Sequence, residues 1–230
     1  MYDPFLLPFS ITFEQQQQLV ESAKAGNHYI TGQPVSYYNG EEFVDTPLTK
    51  RKTLLIESHR SHTPNGKSEY DNRLNLEVNW QWRDTPAAQL VKQLLEPLSD
   101  VIQPTRVITI LVSPGSFLPC HVDSATDHTY KHVKNYLPEG DRTEHHSNQY
   151  AAIKIPVTER DGDNGLPYIE VRNKMCYYDV GKSYFVIDEM HHPHGADPVD
   201  FYRGVLFIDG IVDFDKLRTL KSKYPKYRRK

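Results

Sequence analysis

Cysteine is scarce: Cys120 and Cys176 are the only two in 230 residues. Two cysteines cannot build a disulfide framework, which points to a reducing, cytoplasmic compartment. Long apolar runs are missing as well. The longest, such as residues 107–112, fall far short of the ~18 residues a membrane-spanning helix needs. The first ten residues hold no basic leader and are broken by Pro4 and Pro8, so no signal peptide is expected. No internal repeat and no linker divides the chain. Glycine, at 12 residues, has no period, which excludes a collagen-like chain, and the 26 aromatic residues (15 Tyr, 9 Phe and 2 Trp) are more than a disordered chain carries.

What is present is unevenly spread. Net charge is −3, yet residues 216–230 carry eight Lys or Arg and no acid. The preceding 215 residues therefore hold 19 basic against 30 acidic side chains. A basic tail on an acidic body could touch nucleic acid, but the composition reads more simply as a solvated chain end, and no nucleic-acid or membrane partner is expected. Histidine is the sharper signal. Eight of the eleven lie between His121 and His194, a clustering that metal binding or proton chemistry explains and surface solubility does not.

Helical signals come early. Thr12 and Gln15 form a capping box for a helix over 12–25, stopped by Gly26. Thr85-Pro86 opens a second, whose apolar face is Leu90, Val91, Leu94 and Leu95 and which Pro97 ends. Between them, a strand is predicted at 52–57, and strict alternation of Leu74, Leu76, Val78, Trp80 and Trp82 predicts another over 74–82. From residue 106 the chain reads as short strands: 106–112, 117–123, 150–157, a hairpin of 168–171 and 175–178, then 183–188, 194–196 and 202–212. Residues 124–148 are polar and His-rich, with Pro138 and Gly140. A loop of that length inside a compact domain is often functional. The fold class predicted is α+β, mainly β: a jelly-roll, cupin-like core over about 105–213, with N-terminal helices and strands (1–104) packed on it. One domain (1–215) and a basic tail (216–230) follow.

His121-Val122-Asp123 is the centre of the chemistry. On a strand, residues i and i+2 project from the same face, so H-x-D offers an imidazole and a carboxylate to one point. A third ligand from His191, His192 or His194 would complete a 2-His-1-carboxylate set, which leaves positions open as non-haem Fe(II) oxygenases require. Arg203 opens the strand RGVLFIDG nine residues after His194. A buried Arg pairs bidentately with a dicarboxylate's distal end. Cys120 is expected to be a small buried residue pointing away from His121.

These residues carry a resemblance. ITILVSPGSFLPCHVD, YAAIKIPV and VGKSYFVIDEMHHPHGADPVDFYRGVLFIDGIVD resemble the strand, Pro-Gly turn and H-x-D, the next core strand, and the closing segment of the Fe(II)/2-oxoglutarate-dependent oxygenases, within them the aspartyl/asparaginyl β-hydroxylase-like branch. The likeness covers about residues 105–213. It implies a double-stranded β-helix, Fe(II), 2-oxoglutarate and O2, and hydroxylation of an unactivated C–H with release of succinate and CO2. It further implies iron on His121, Asp123 and His194, with His192 as the alternative ligand, and 2-oxoglutarate on Arg203. The branch usually has a further Arg and His near Ala152 and Lys154. Lys154 is the remaining cation for a second anchor. The substrate would be an amino acid, free or in a peptide or protein. Two other readings are a cupin-type metalloenzyme that does not use 2-oxoglutarate, against which Arg203 argues, and a non-catalytic β-sandwich binding protein, against which the intact H-x-D and His argue.

Overall fold

A computed structural model describes residues 5–26, 29–31, 36–38, 43–45, 53–62, 78–121, 150–162, 165, 167–171, 174–177, 182–186 and 193–220. The fold is mostly β, with two antiparallel sheets of eight and four strands, a separate two-stranded hairpin, and few helices. The strands are β1 (Phe5–Ser10), β2 (Tyr29–Thr31), β3 (Ser36–Tyr38), β4 (Phe43–Asp45), β5 (Thr53–Ser61), β6 (Gln81–Trp82) and β7 (Ile102–Val112). They continue with β8 (Leu118–His121), β9 (Tyr150–Thr158), β10 (Pro167–Val171), β11 (Lys174–Tyr177), β12 (Lys182–Val186), β13 (His194–Ala196) and β14 (Arg203–Val212).

The large sheet runs β1-β12-β9-β14-β7-β5-β2, with β6 on β5, and the small one runs β11-β10-β13-β8. From β7 onward the chain passes from one sheet to the other at nearly every turn. Such interleaving is consistent with a jelly roll. It also brings β13 and β14, the last strands, beside β8 and β7, the first of the series.

One face of the large sheet is covered by helices. α1 (Phe13–Ala25) has the expected capping box at Thr12 and Gln15 and ends at Gly26. α2 (Pro86–Leu95) is capped by Thr85, with Pro86 in its first turn, and tightens into a 3-10 turn at Glu96–Leu98. Leu19, Val20, Val91 and Leu95 from these helices pack with Leu55, Val107, Leu111, Ile153, Ile155, Leu206 and Ile208 from the sheet. The alternate residues Ile56, Ile108, Ala152 and Phe207 form a smaller cluster on the opposite face, as the two-residue period of a strand requires. α3 (Phe214–Leu220) returns Leu217 to the main core.

The strand expected over 74–82 is corrected. Residues 71–77 lie outside the described residues, and only Gln81 and Trp82 pair as β6, against Ser61 and Arg60. The Trp80 amide donates to the Val78 carbonyl at 2.9 Å, a tight turn that turns Trp80 inward at 7% exposure. Over the described residues 78–82, a turn that buries Trp80 and a two-residue pairing stand in place of a continuous strand. The other predicted strands appear, β7 starting at Ile102 rather than at 106, while the expected ends at 52, 122–123, 178 and 187–188 lie outside the described residues, and β1 to β4 had no periodic signal.

Two polar side chains of β5 face the helices. The Ser22 hydroxyl of α1 donates to Glu57 Oε1 at 2.7 Å, and His59 Nε2 lies 2.7 Å from Thr109 Oγ1 of β7. His59 is fully buried, and its Nδ1 has no partner among the described residues. Burial, aided by the Arg83 charge, pushes the His59 imidazole down to about 3. The unfolded chain takes up this proton below its ordinary value near 6.5, and the folded chain does not, so stability is complete above pH 6.5 and falls as pH drops toward 3. At about 1.4 kcal/mol per pH unit, the loss by pH 5 is about 2 kcal/mol. Urea midpoints at pH 7 and pH 5 check this: the wild type should lose that increment and His59→Leu should not. Equal pH slopes for the two chains would remove His59 as the source.

Candidate functional site

β8 and β13 pair antiparallel, and His121 stands directly opposite His194 in their register. Residues facing each other in such a pair have Cβ atoms about 5 Å apart on the same side of the sheet. The two ends of the sequence pattern, 73 positions apart in the chain, are thus brought to one point by backbone pairing alone. His194 is 7% exposed, and its other neighbour in the sheet is Ile169 of β10. The His121 side chain, Asp123, His191, His192 and residues 124–148 lie outside the described residues. Among the described residues no group of three His, Cys, Asp or Glu could hold a metal.

Arg203 begins β14 opposite Thr158 of β9 and Val112 of β7. It is 3% exposed. One terminal nitrogen donates to three backbone carbonyls, those of Ser116 at 3.1 Å, Ala196 at 3.3 Å and Asp197 at 2.7 Å. The side chain thereby reaches the end of β13, two residues from His194, or about 7 Å along a strand. Burial pushes its guanidinium down to about 10, against the opposing pull of Asp197, which leaves it charged at neutral pH. Gly165 makes room for its stem. A Cβ there would lie 2.5 Å from Arg203 Cβ, and the backbone φ of +63° is one that L side chains rarely adopt.

The sheet face turned away from the helices is charged for a protein interior. Arg106 Nε donates to Asp209 Oδ2 at 2.6 Å, with both side chains essentially buried. Lys154, 8% exposed, stands opposite Phe207 in the β9–β14 register, with its Nζ 4.8 Å from the ring centroid. The Arg106 guanidinium also lies over that ring, at 5.4 Å. Lys154 is opposite a residue four positions along β14 from Arg203, about 13 Å of strand.

Cys120 corrects one expectation. It is exposed rather than buried, because β8 is the edge of the small sheet. Strand alternation does turn it away from His121, toward the Tyr168 hydroxyl, with which it shares a hydrogen bond. Sequence reasoning passed over Arg106, Asp209, Phe207 and Gly165. An Asp inside the apolar run of β14 was the available signal, since a buried carboxylate requires a partner.

No family model matches the chain, and no curated protein matches it. Solved structures do. A prolyl hydroxylase from Trichoplax adhaerens, in complex with a hypoxia inducible factor oxygen degradation domain peptide fragment, has a TM-score of 0.50 at 10% identity. The match covers 96% of this chain and 87% of that one. The fold is one that such oxygenases adopt. A 2OG-Fe(II) oxygenase family oxidoreductase from Burkholderia pseudomallei has a TM-score of 0.43 at 10% identity, covering 84% of this chain and 78% of that one. The viral collagen prolyl hydroxylase of Paramecium Bursaria Chlorella virus-1, as its 2OG complex, has a TM-score of 0.42 at 11% identity, covering 87% and 91%. Among the described residues no helix is long and apolar enough to cross a membrane.

The residues present fit a dicarboxylate co-substrate. Arg203 Nε is buried and has no hydrogen-bond partner among the described residues, a cost that a bound anion would remove. His194 opens β13, and the tip of Arg203 is bonded to the carbonyl of Ala196, which closes it.

Proposed function

We propose that this chain is a non-haem Fe(II)- and 2-oxoglutarate-dependent dioxygenase with a double-stranded β-helix core. It hydroxylates an unactivated C–H of an amino acid, free or within a peptide or protein, and releases succinate and CO2. The observation that carries this reading is the register of His121 against His194, with Arg203 heading the strand that follows. His121, Asp123 and His194 would hold the iron, and His192 is the alternative to His194. The likeness of residues 105–213 to the aspartyl/asparaginyl branch supports an amino-acid substrate.

Bound iron with 2-oxoglutarate and O2 supplies the oxidation itself. The chain's own residues do the rest. His121 and His194, opposite one another on adjacent strands, would fix the metal's place in the small sheet. Arg203 offers its buried charge and its free Nε to the distal carboxylate of 2-oxoglutarate, in a setting where ion pairing is stronger than in water. The three carbonyls on its terminal nitrogen fix the direction of the fork. Lys154 adds positive charge over Phe207 deeper on the same face, which favours a dianion over a neutral ligand.

Anaerobic titration of the chain with Fe(II) and 2-oxoglutarate, followed by the visible metal-to-ligand charge-transfer band, tests the proposal. The wild type should develop the band, and Arg203→Ala should need at least ~10-fold more 2-oxoglutarate, the scale of a lost charge-assisted pair. A folded wild type that develops no band would falsify the reading and favour a metal site that does not use 2-oxoglutarate.

A further inference from the structure

Arg203 is held at its tip by carbonyls and along its stem by Gly165, but its entry into the strand is set by the residue before it. Tyr202 is gripped on both backbone groups by one residue. Its amide donates to Glu159 Oε1 at 2.8 Å, and its carbonyl accepts the Glu159 amide at 3.1 Å. The second carboxylate oxygen, Glu159 Oε2, accepts from Lys24 Nζ of α1 at 2.6 Å. The same ammonium lies 4.8 Å from the centroid of the Tyr202 ring. Beside this clasp, Gln17 Nε2 of α1 donates to the carbonyl of Thr158, the residue that faces Arg203 across the ladder. The far side of the β13–β14 connection is tied separately, by the Gly115 amide donating to the Val199 carbonyl at 2.7 Å. Burial raises the Glu159 carboxyl, but the bonds from Lys24 and Tyr202 outweigh it and hold it below the usual carboxylate range. The clasp is therefore ionised at neutral pH.

We infer that Glu159 is a positioning residue for Arg203: clasped by Lys24, it fixes the backbone of Tyr202 and so aims the guanidinium at the distal carboxylate of the co-substrate. This rests on the proposed function, because it assigns Arg203 that ligand. Contacts at the tip and along the stem still leave the direction in which the side chain leaves the strand to the preceding backbone, and a site about 1 Å too loose loses binding. The clasp couples α1, on the helix-covered face, to the charged face beyond the sheet. It touches neither the metal nor the co-substrate.

The test compares 2-oxoglutarate with 2-oxobutyrate, which keeps the chelating 2-oxo acid and lacks the distal carboxylate. Dissociation constants come from the charge-transfer band with Fe(II), and thermal shifts with 2-oxoglutarate on the metal-free protein give a second readout. Glu159→Ala should weaken 2-oxoglutarate about 10-fold, on the scale of a supporting-residue loss, and leave 2-oxobutyrate unchanged. Glu159→Gln keeps an acceptor for the Tyr202 amide while losing the charge for Lys24, and should fall between. Glu21→Gln, which removes only the exposed second partner of Lys24, should match the wild type. A purely structural Glu159 would lower the melting temperature and leave the ratio of the two dissociation constants as in the wild type, and that result overturns the inference. A wild type that neither develops the band nor is stabilised by 2-oxoglutarate overturns the proposed function itself, and the positioning role with it.

Discussion

Replacing His194 with alanine is expected to abolish iron retention and succinate release together, while His192→Ala keeps both. The basis is register. His194 is paired across the β8–β13 ladder with His121, so the backbone register sets the two positions directly opposite one another. The loss should exceed the roughly 10- to 100-fold that removing an outer-shell partner of a metal costs, because a ligand itself is gone. Iron content of protein reconstituted anaerobically, and initial rates of succinate formation, measure it. Circular dichroism establishes that the variants fold. Undiminished iron in His194→Ala, with iron lost in His192→Ala, would transfer the ligand to His192 and require a different register at the start of β13.

Asp209→Ala should destabilise the fold by about 3–5 kcal/mol, the usual cost of breaking a buried ion pair by removing one partner. Arg106 and Asp209 are 2% and 0% exposed, and no surface rearrangement returns the guanidinium to water. For a domain of this size about 1 kcal/mol corresponds to 2–4 °C, so the melting temperature should fall by about 10 °C. Exchanging both partners, as Arg106→Met with Asp209→Leu, should recover most of the loss, since an apolar pair of similar volume avoids desolvating charge. Urea unfolding of the three variants measures these values. A single Asp209→Ala variant within 1 kcal/mol of wild type would show that other groups satisfy Arg106. The Arg106 guanidinium and the Lys154 ammonium both approach the Phe207 ring, from β7 and β9 on either side of β14. Loss of the ion pair should also weaken co-substrate binding indirectly.

Local chemistry made several features legible without coordinates. The capping box at Thr12, Thr85-Pro86 before α2, and the strands from residue 106 onward are encoded within a few neighbouring residues, because caps and i,i+2 alternation are short-range rules. The H-x-D, the downstream histidines and Arg203 were legible for a related reason: ligand chemistry restricts residue type sharply. β1 was hidden by Pro8, which an edge strand tolerates, and β2 to β4 are three residues each, too short for a period to show.

The sequence by itself therefore determined where imidazole, carboxylate and guanidinium groups stand along the chain, and that a β-rich core follows two early helices. Tertiary structure alone decided which of them meet. It set His194 opposite His121, separated Lys154 from Arg203 by four positions of β14, paired Arg106 with Asp209 across 103 residues, and clasped Tyr202 with Glu159 and Lys24. The physical reason is that sheet pairing joins segments far apart in the chain, and a shift of one residue in register turns every side chain to the other face. Composition and spacing name the groups, and the ladder decides their company.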